Sequence, residues 1–214
     1  QTLPGTIRKG LNKVYWNLRE TPPKVASGST KMEAAGFTAP MVLPGHYQVV
    51  LHVKDQTYSQ TLTCVEDPQN TLYTSEQRKH VYQKAQELKT LFQSINTLID
   101  SLNEIQNALK KDSVTFRKNK TSGSYYKELQ KIKSKLMATT QTSIFADEER
   151  LREKVSKLYG AFCEMESAPN ETQLESIRDL STEFKTTSND YRRVQEHYYK
   201  TYLQSLKKTE RLSH

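Results

Sequence analysis

The chain has 214 residues, 35% hydrophobic and 26% charged, with a formal net charge of +8. That is room for one large domain or two small ones, and the charge density suits elongated helices better than a thick globular core. No run of about eighteen apolar residues exists, which excludes a membrane-spanning helix. Gln1 to Gly5 lacks the charged and apolar regions of a signal peptide, so the chain reads as a mature or excised fragment with any targeting signal upstream.

Residues 1–10 read as a linker or an edge strand. Val14, Trp16 and Leu18 alternate with polar or tyrosine neighbours, which predicts a strand with Trp16 as its core anchor. Pro22-Pro23 and Gly28 mark a loop, with space for a short extra strand near residues 31–35. Pro44-Gly45 then turns the chain into the clearest β signal. Tyr47, Val49, Leu51 and Val53 share one face, and Gln48, His52 and Lys54 the other. Lys54 to Thr57 reverses the chain. Tyr58, Leu62 and Cys64 repeat the alternation while Ser59, Thr61 and Thr63 face away, giving a hairpin with one buried face. Four or five strands in the first third predict a small β-sandwich over residues 1–68.

From residue 69 onward the period changes. Val81, Ala85, Leu88, Phe92, Ile95, Ile99, Leu102 and Leu109 form a heptad-like stripe on a helix from about Thr74 to Lys111. Tyr125, Leu129, Ile132 and Leu136 mark a second helix, between about Ser124 and Thr139. Asp147-Glu148-Glu149 supplies the acidic first turn of a third, whose stripe is Leu151, Val155, Leu158, Phe162 and Met165. Leu174, Ile177, Leu180, Phe184, Tyr191, Tyr198 and Tyr202 carry a fourth toward the terminus. The order long, short, short, long predicts an antiparallel three-helix bundle with a broken middle strand, or alternatively a four-helix bundle, over residues 69–214. The fold class expected is therefore α+β in two modules, a β-sandwich followed by a bundle of long coiled-coil-like helices.

Chemistry is harder to find. His46, His52, His80, His197 and His214 are scattered, without zinc spacing. The sequence holds no nucleophile elbow, phosphate-cradling loop or dinucleotide fingerprint. Glu148 and Arg152 have the spacing of an ordinary helix-face ion pair. Cys64 and Cys163 read as buried free thiols rather than a bridge. No catalytic residue, metal site or cofactor is expected. Residues 110–135 do concentrate charge: nine basic side chains stand against Asp112 and Glu128. Lys110, Lys111, Arg117, Lys118, Lys120, Lys127 and Lys131, with Phe116, Tyr125 and Tyr126 interleaved, form a candidate site for phosphates, anionic headgroups or acidic polysaccharide. Such runs are more often a solvated turn, and no motif supports nucleic acid. Tyr198, Tyr199 and Tyr202 form a candidate partner surface that core and rim packing would equally explain.

Trp16-Asn17-Leu18-Arg19, the run Gly36 to Val53 and the run Thr57 to Pro68 together form a longer pattern. It resembles the carboxy-terminal region of bacterial sortilin-like β-propeller proteins, often described as BNR-repeat or glycosyl-hydrolase-like. Asn17 replaces the Asp of that pattern, Ala39 replaces a Gly, and Asp55-Gln56 replaces a glycine turn. The resemblance implies an Ig-like module, akin to fibronectin type III and flagellar hook-assembly domains, with a helical segment after it. It also implies a secreted, periplasmic or envelope-associated bacterial protein whose upstream propeller carries any activity. This chain would then be a non-catalytic tail that docks, oligomerises or contacts a protein or surface glycan. Two alternatives remain: a tail that completes an upstream glycosidase-like active site, and a polyanion binder using residues 110–135.

Overall fold

The computed structural model describes residues 1–27, 34–70, 73–111, 120–139 and 149–212, with side chains of the last helix described as far as Lys200. Among them are two strands, β1 (Gly45–Val53) and β2 (Gln56–Cys64), and four helices. The helices are α1 (Ser75–Lys111), α2 (Lys120–Leu136), α3 (Leu151–Cys163) and α4 (Glu171–Leu212).

Capping residues start two of the helices. Thr74 Oγ1 accepts from the Gln77 N–H at 3.2 Å while Gln77 Oε1 accepts from the Thr74 N–H at 3.0 Å. Asn170 and Gln173 make the same reciprocal pair ahead of α4, each bond 2.9 Å. At about 1.5 Å per residue, α1 is ~55 Å long and α4 ~63 Å, whereas α2 and α3 are each under half of that. The two short helices lie end to end. α2 runs antiparallel to the second half of α1, with Gln106 bonded to Gln130 and Asn103 to Lys133. α3 continues the same column along the first half of α1. α4 lies against both, through Lys154 to Glu183, Lys135 to Asp190 and Tyr125 to Gln195. Four helices thus form three columns.

The stripes point into this bundle. Every one of the eight α1 stripe residues from Val81 to Leu109 is buried, as are Tyr125, Leu129, Ile132 and Leu136 of α2. α3 contributes Leu151, Val155, Tyr159 and Phe162; α4 adds Ile177 and Leu180, with Phe184, Tyr191, Val194 and Tyr198 partly covered. Among the described residues, charge enters the core at Arg152 and Glu153. Arg152, expected on an exposed helix face, is fully buried beside Glu153, 2.8 Å away. Glu153 also accepts the N–H groups of Ala138 and Arg150, so it joins the end of α2 to the start of α3. Asp147 and Glu148, the expected first turn of α3, lie outside the described residues.

The β-sandwich is a misreading. Among the described residues the only sheet is the β1–β2 hairpin, in register from Gly45↔Cys64 to Val53↔Gln56, plus an isolated bridge between Arg19 and Met41. The strand expected around Trp16 does not form. Trp16 Nε1 donates to the Arg19 carbonyl at 3.1 Å, and Leu18 takes a φ of 57°. A left-handed bulky residue interrupts the two-residue alternation on which strand pairing depends. Past it, Pro22 and Pro23 have no N–H to give a ladder, and residues 19–27 bond to the bundle instead. The chain is mostly helical, and the described residues of its amino-terminal third form an irregular strap with one hairpin.

Candidate partner interface

The strap fixes the hairpin to the bundle through two adjacent residues. Arg19 Nη1 donates to the carbonyls of Ala39 at 2.7 Å and Cys163 at 3.1 Å, and Nη2 donates to Glu164 at 2.8 Å. The guanidinium therefore holds the end of α3, where helical carbonyls lack intrahelical donors. Glu20 turns the other way, onto α1. It accepts from Tyr82, from Gln86 at 2.7 Å and from Lys89 at 3.0 Å. Burial works to raise the Glu20 pKa, but the bonds from Tyr82, Gln86 and Lys89 outweigh it and hold the carboxyl below its usual range. Burial and the Glu20 bond together push the Tyr82 hydroxyl up to about 12. Further along, the Ala26 N–H donates to the buried Asn96 amide at 2.8 Å.

Above this junction the hairpin stands clear. Its cross-strand register puts Tyr47, Val49, Leu51, Val53, Tyr58, Gln60 and Leu62 on one face. Among the described residues that face is covered at one end, where Trp16 meets Tyr47 edge-on with ring centroids 5.3 Å apart. Burial there lifts the Tyr47 hydroxyl above its ordinary range, the charges of Cys64 and Glu20 adding to it. Val49, Leu51, Val53 and Tyr58 are 46–56% exposed, so the face expected to be buried is open. Trp16 is half-buried rather than a core anchor. The opposite face is polar: His46 bonds to Thr63 and His52 to Thr57 across the strands. Cys64 is a half-buried free thiol on the sheet, and Cys163 a buried free thiol on α3.

The sequence-expected sites fare differently. Arg117 and Lys118 lie outside the described residues, and of Lys120 and Tyr202 only the helical backbone is described. Lys131 pairs with Glu128, Lys135 with Asp190, and Lys110 sits over the Tyr126 ring. Lys133 bonds to Asn103; burial lowers its pKa, with Lys110 and Arg152 nearby. Lys111 and Lys127 are exposed. Lys133 and Lys135 thus reach across to other helices, while Lys131 pairs within its own. Tyr198 stacks on buried Tyr125, centroids 5.5 Å apart, and belongs to the packing, while Tyr199 faces outward. Among the described residues no helix is long and apolar enough to cross a membrane, and no cluster of His, Cys, Asp and Glu could hold a metal ion.

Sequence alternation marks the apolar face but not its exposure. Arg19 and Glu20 escape a sequence reading as anchors, since neither belongs to a periodic stripe. No protein family, curated protein or solved structure matches the chain. Nothing identifies it as a sortilin-like or BNR-repeat region, and the Ig-like sandwich that the resemblance implied is not its fold.

Proposed function

We propose that this chain is a non-catalytic docking module in which the bundle is the scaffold and the hairpin is the contact element. The observation behind this reading is the contrast between a closed bundle core and an open apolar sheet face. A two-stranded hairpin is marginal by itself in water, and a contiguous exposed apolar patch is the usual mark of an interaction surface. Arg19 and Glu20 hold the base of the hairpin against two different helices, which limits the freedom lost when a partner binds. The polyanion reading draws less support, because Lys131 and Lys135 are paired with carboxylates.

The test places a photo-crosslinking residue at Leu51, and in a second variant at exposed Asn107 of α1, in cells that make the protein. A discrete adduct from position 51 alone is the expected result. Equal adducts from both positions, or none from position 51, would overturn the reading.

A further inference from the structure

The hairpin's main-chain edges say more about the partner than its side chains do. Native sheets blunt free edges with lysine, proline, bulges or inward-pointing charges, because bare N–H and C=O groups recruit other strands. β1 and β2 use none of these. In a chain that is 26% charged, GHYQVVLHV and QTYSQTLTC contain no charged residue and no proline. Their register runs unbroken from end to end, and among the described residues no strand pairs with either outer edge.

The two edges differ. Next to β1 the chain itself comes close, with the Arg19–Met41 bridge just ahead of the strand and the Trp16 ring on Tyr47. The β2 edge has no such neighbour among the described residues. A two-residue turn closes the ladder at Val53↔Gln56, so that pair is hydrogen-bonded and bonded pairs alternate from there. The N–H and C=O groups of Thr57, Ser59, Thr61 and Thr63 therefore point outward.

We propose that the β2 edge accepts an added antiparallel strand from a β-rich partner, with alternate apolar side chains extending the Val49–Leu51–Tyr58 face. This rests on the docking reading above and names the partner's chemistry. A helix or a lipid surface would leave the edge groups unused, and an anionic surface would be met by cations that both strands lack. A second copy stacked face to face is too small. Two strands of this length offer a face of roughly 300 Å², so stacking would bury about 600 Å², half of the ~1,200 Å² at the lower end of stable interfaces.

The probe is a fluorescent eight-residue peptide alternating threonine and valine with a lysine at each end, titrated by anisotropy. Its valines should lie on the apolar face, and its threonine N–H groups should then meet β2. N-methylation at the threonines should weaken binding at least tenfold, while N-methylation at the valines should change it less than threefold. Thr61→Pro, which removes an outward N–H and leaves the β1 ladder bonded, should lose binding with the helical circular dichroism unchanged. Equal binding by both methylated peptides would overturn strand addition while leaving apolar docking intact. Failure of every peptide would overturn the proposal, and the crosslinking result above then judges the docking reading independently. A dimer by sedimentation that Thr61→Pro dissolves would assign the edge to a second copy and refute the partner named here.

Discussion

Replacing Arg19 by alanine should loosen the amino-terminal strap far more than its visible ion pair suggests. Its carboxylate partner Glu164 is 63% exposed, and the Arg19 side chain 23%; a pair so open to solvent contributes about 0–1 kcal/mol. The stronger contacts are those to the carbonyls of Ala39 and Cys163, residues that are 1% and 6% exposed. A hydrogen bond from a charged donor contributes roughly 1.5–3 kcal/mol, and an abandoned buried acceptor adds its own desolvation penalty. Allowing for water reaching one carbonyl, Arg19→Ala should cost about 2–3 kcal/mol and Glu164→Ala under about 1 kcal/mol. For a chain of this size the first corresponds to a Tm lower by ~4–12 °C. Urea titration of both variants, followed by Trp16 fluorescence for the strap and by helical circular dichroism for the bundle, separates the two elements. Equal losses from the two substitutions would refute the reasoning, because the energy would then lie in the ion pair. Arg19→Lys should recover less than half of the loss, since one ammonium cannot span acceptors on two segments.

Glu20 makes the strap acid-sensitive. Its pKa is lowered on folding, so its contribution is complete above the unfolded carboxyl range and is lost as pH falls through the folded value. Wild type and Glu20→Gln should differ in stability at pH 7 and converge at the lowest pH; a gap that persists in acid would contradict this. Two glycines should respond with opposite signs to alanine. At Gly160, within α3, an added Cβ meets nothing within 4 Å, so Gly160→Ala should stabilise by about 0.5–1 kcal/mol. At Gly36 the added Cβ would lie 2.6 Å from Val25 Cγ2, the tip of a stiff β-branched side chain. Gly36→Ala should cost about 1–3 kcal/mol. Thermal melts of both variants check the signs.

Much of the bundle is legible in the sequence, because a helix sets its side-chain direction locally. The stripe from Val81 to Leu109 needs only its period to show which side faces inward, and all eight of its residues are buried. Caps are local as well: Thr74 with Gln77, and Asn170 with Gln173, start helices by bonds that span three residues. Alternation in Gly45 to Cys64 likewise specifies the hairpin and which of its faces is apolar.

What covers that face, and whether neighbouring segments become strands, depends on partners distant in sequence. Trp16 and Leu18 have strand-like alternation, yet the left-handed Leu18 and the pull of Arg19 toward Cys163, 144 residues away, override it. Arg152 reads as a surface residue because burial of a charge is decided by the Glu153 beside it and by how α2 meets α3. Sequence order likewise hides Asn103 and Asp190, which α1 and α4 bring to Lys133 and Lys135 at the end of the basic stretch. The helices, the hairpin and their apolar faces are written in the order of residues, since they follow from backbone period and local bonding. That the bundle closes its core while the hairpin leaves its own face open emerges only on folding, because burial is a property of what packs against a face.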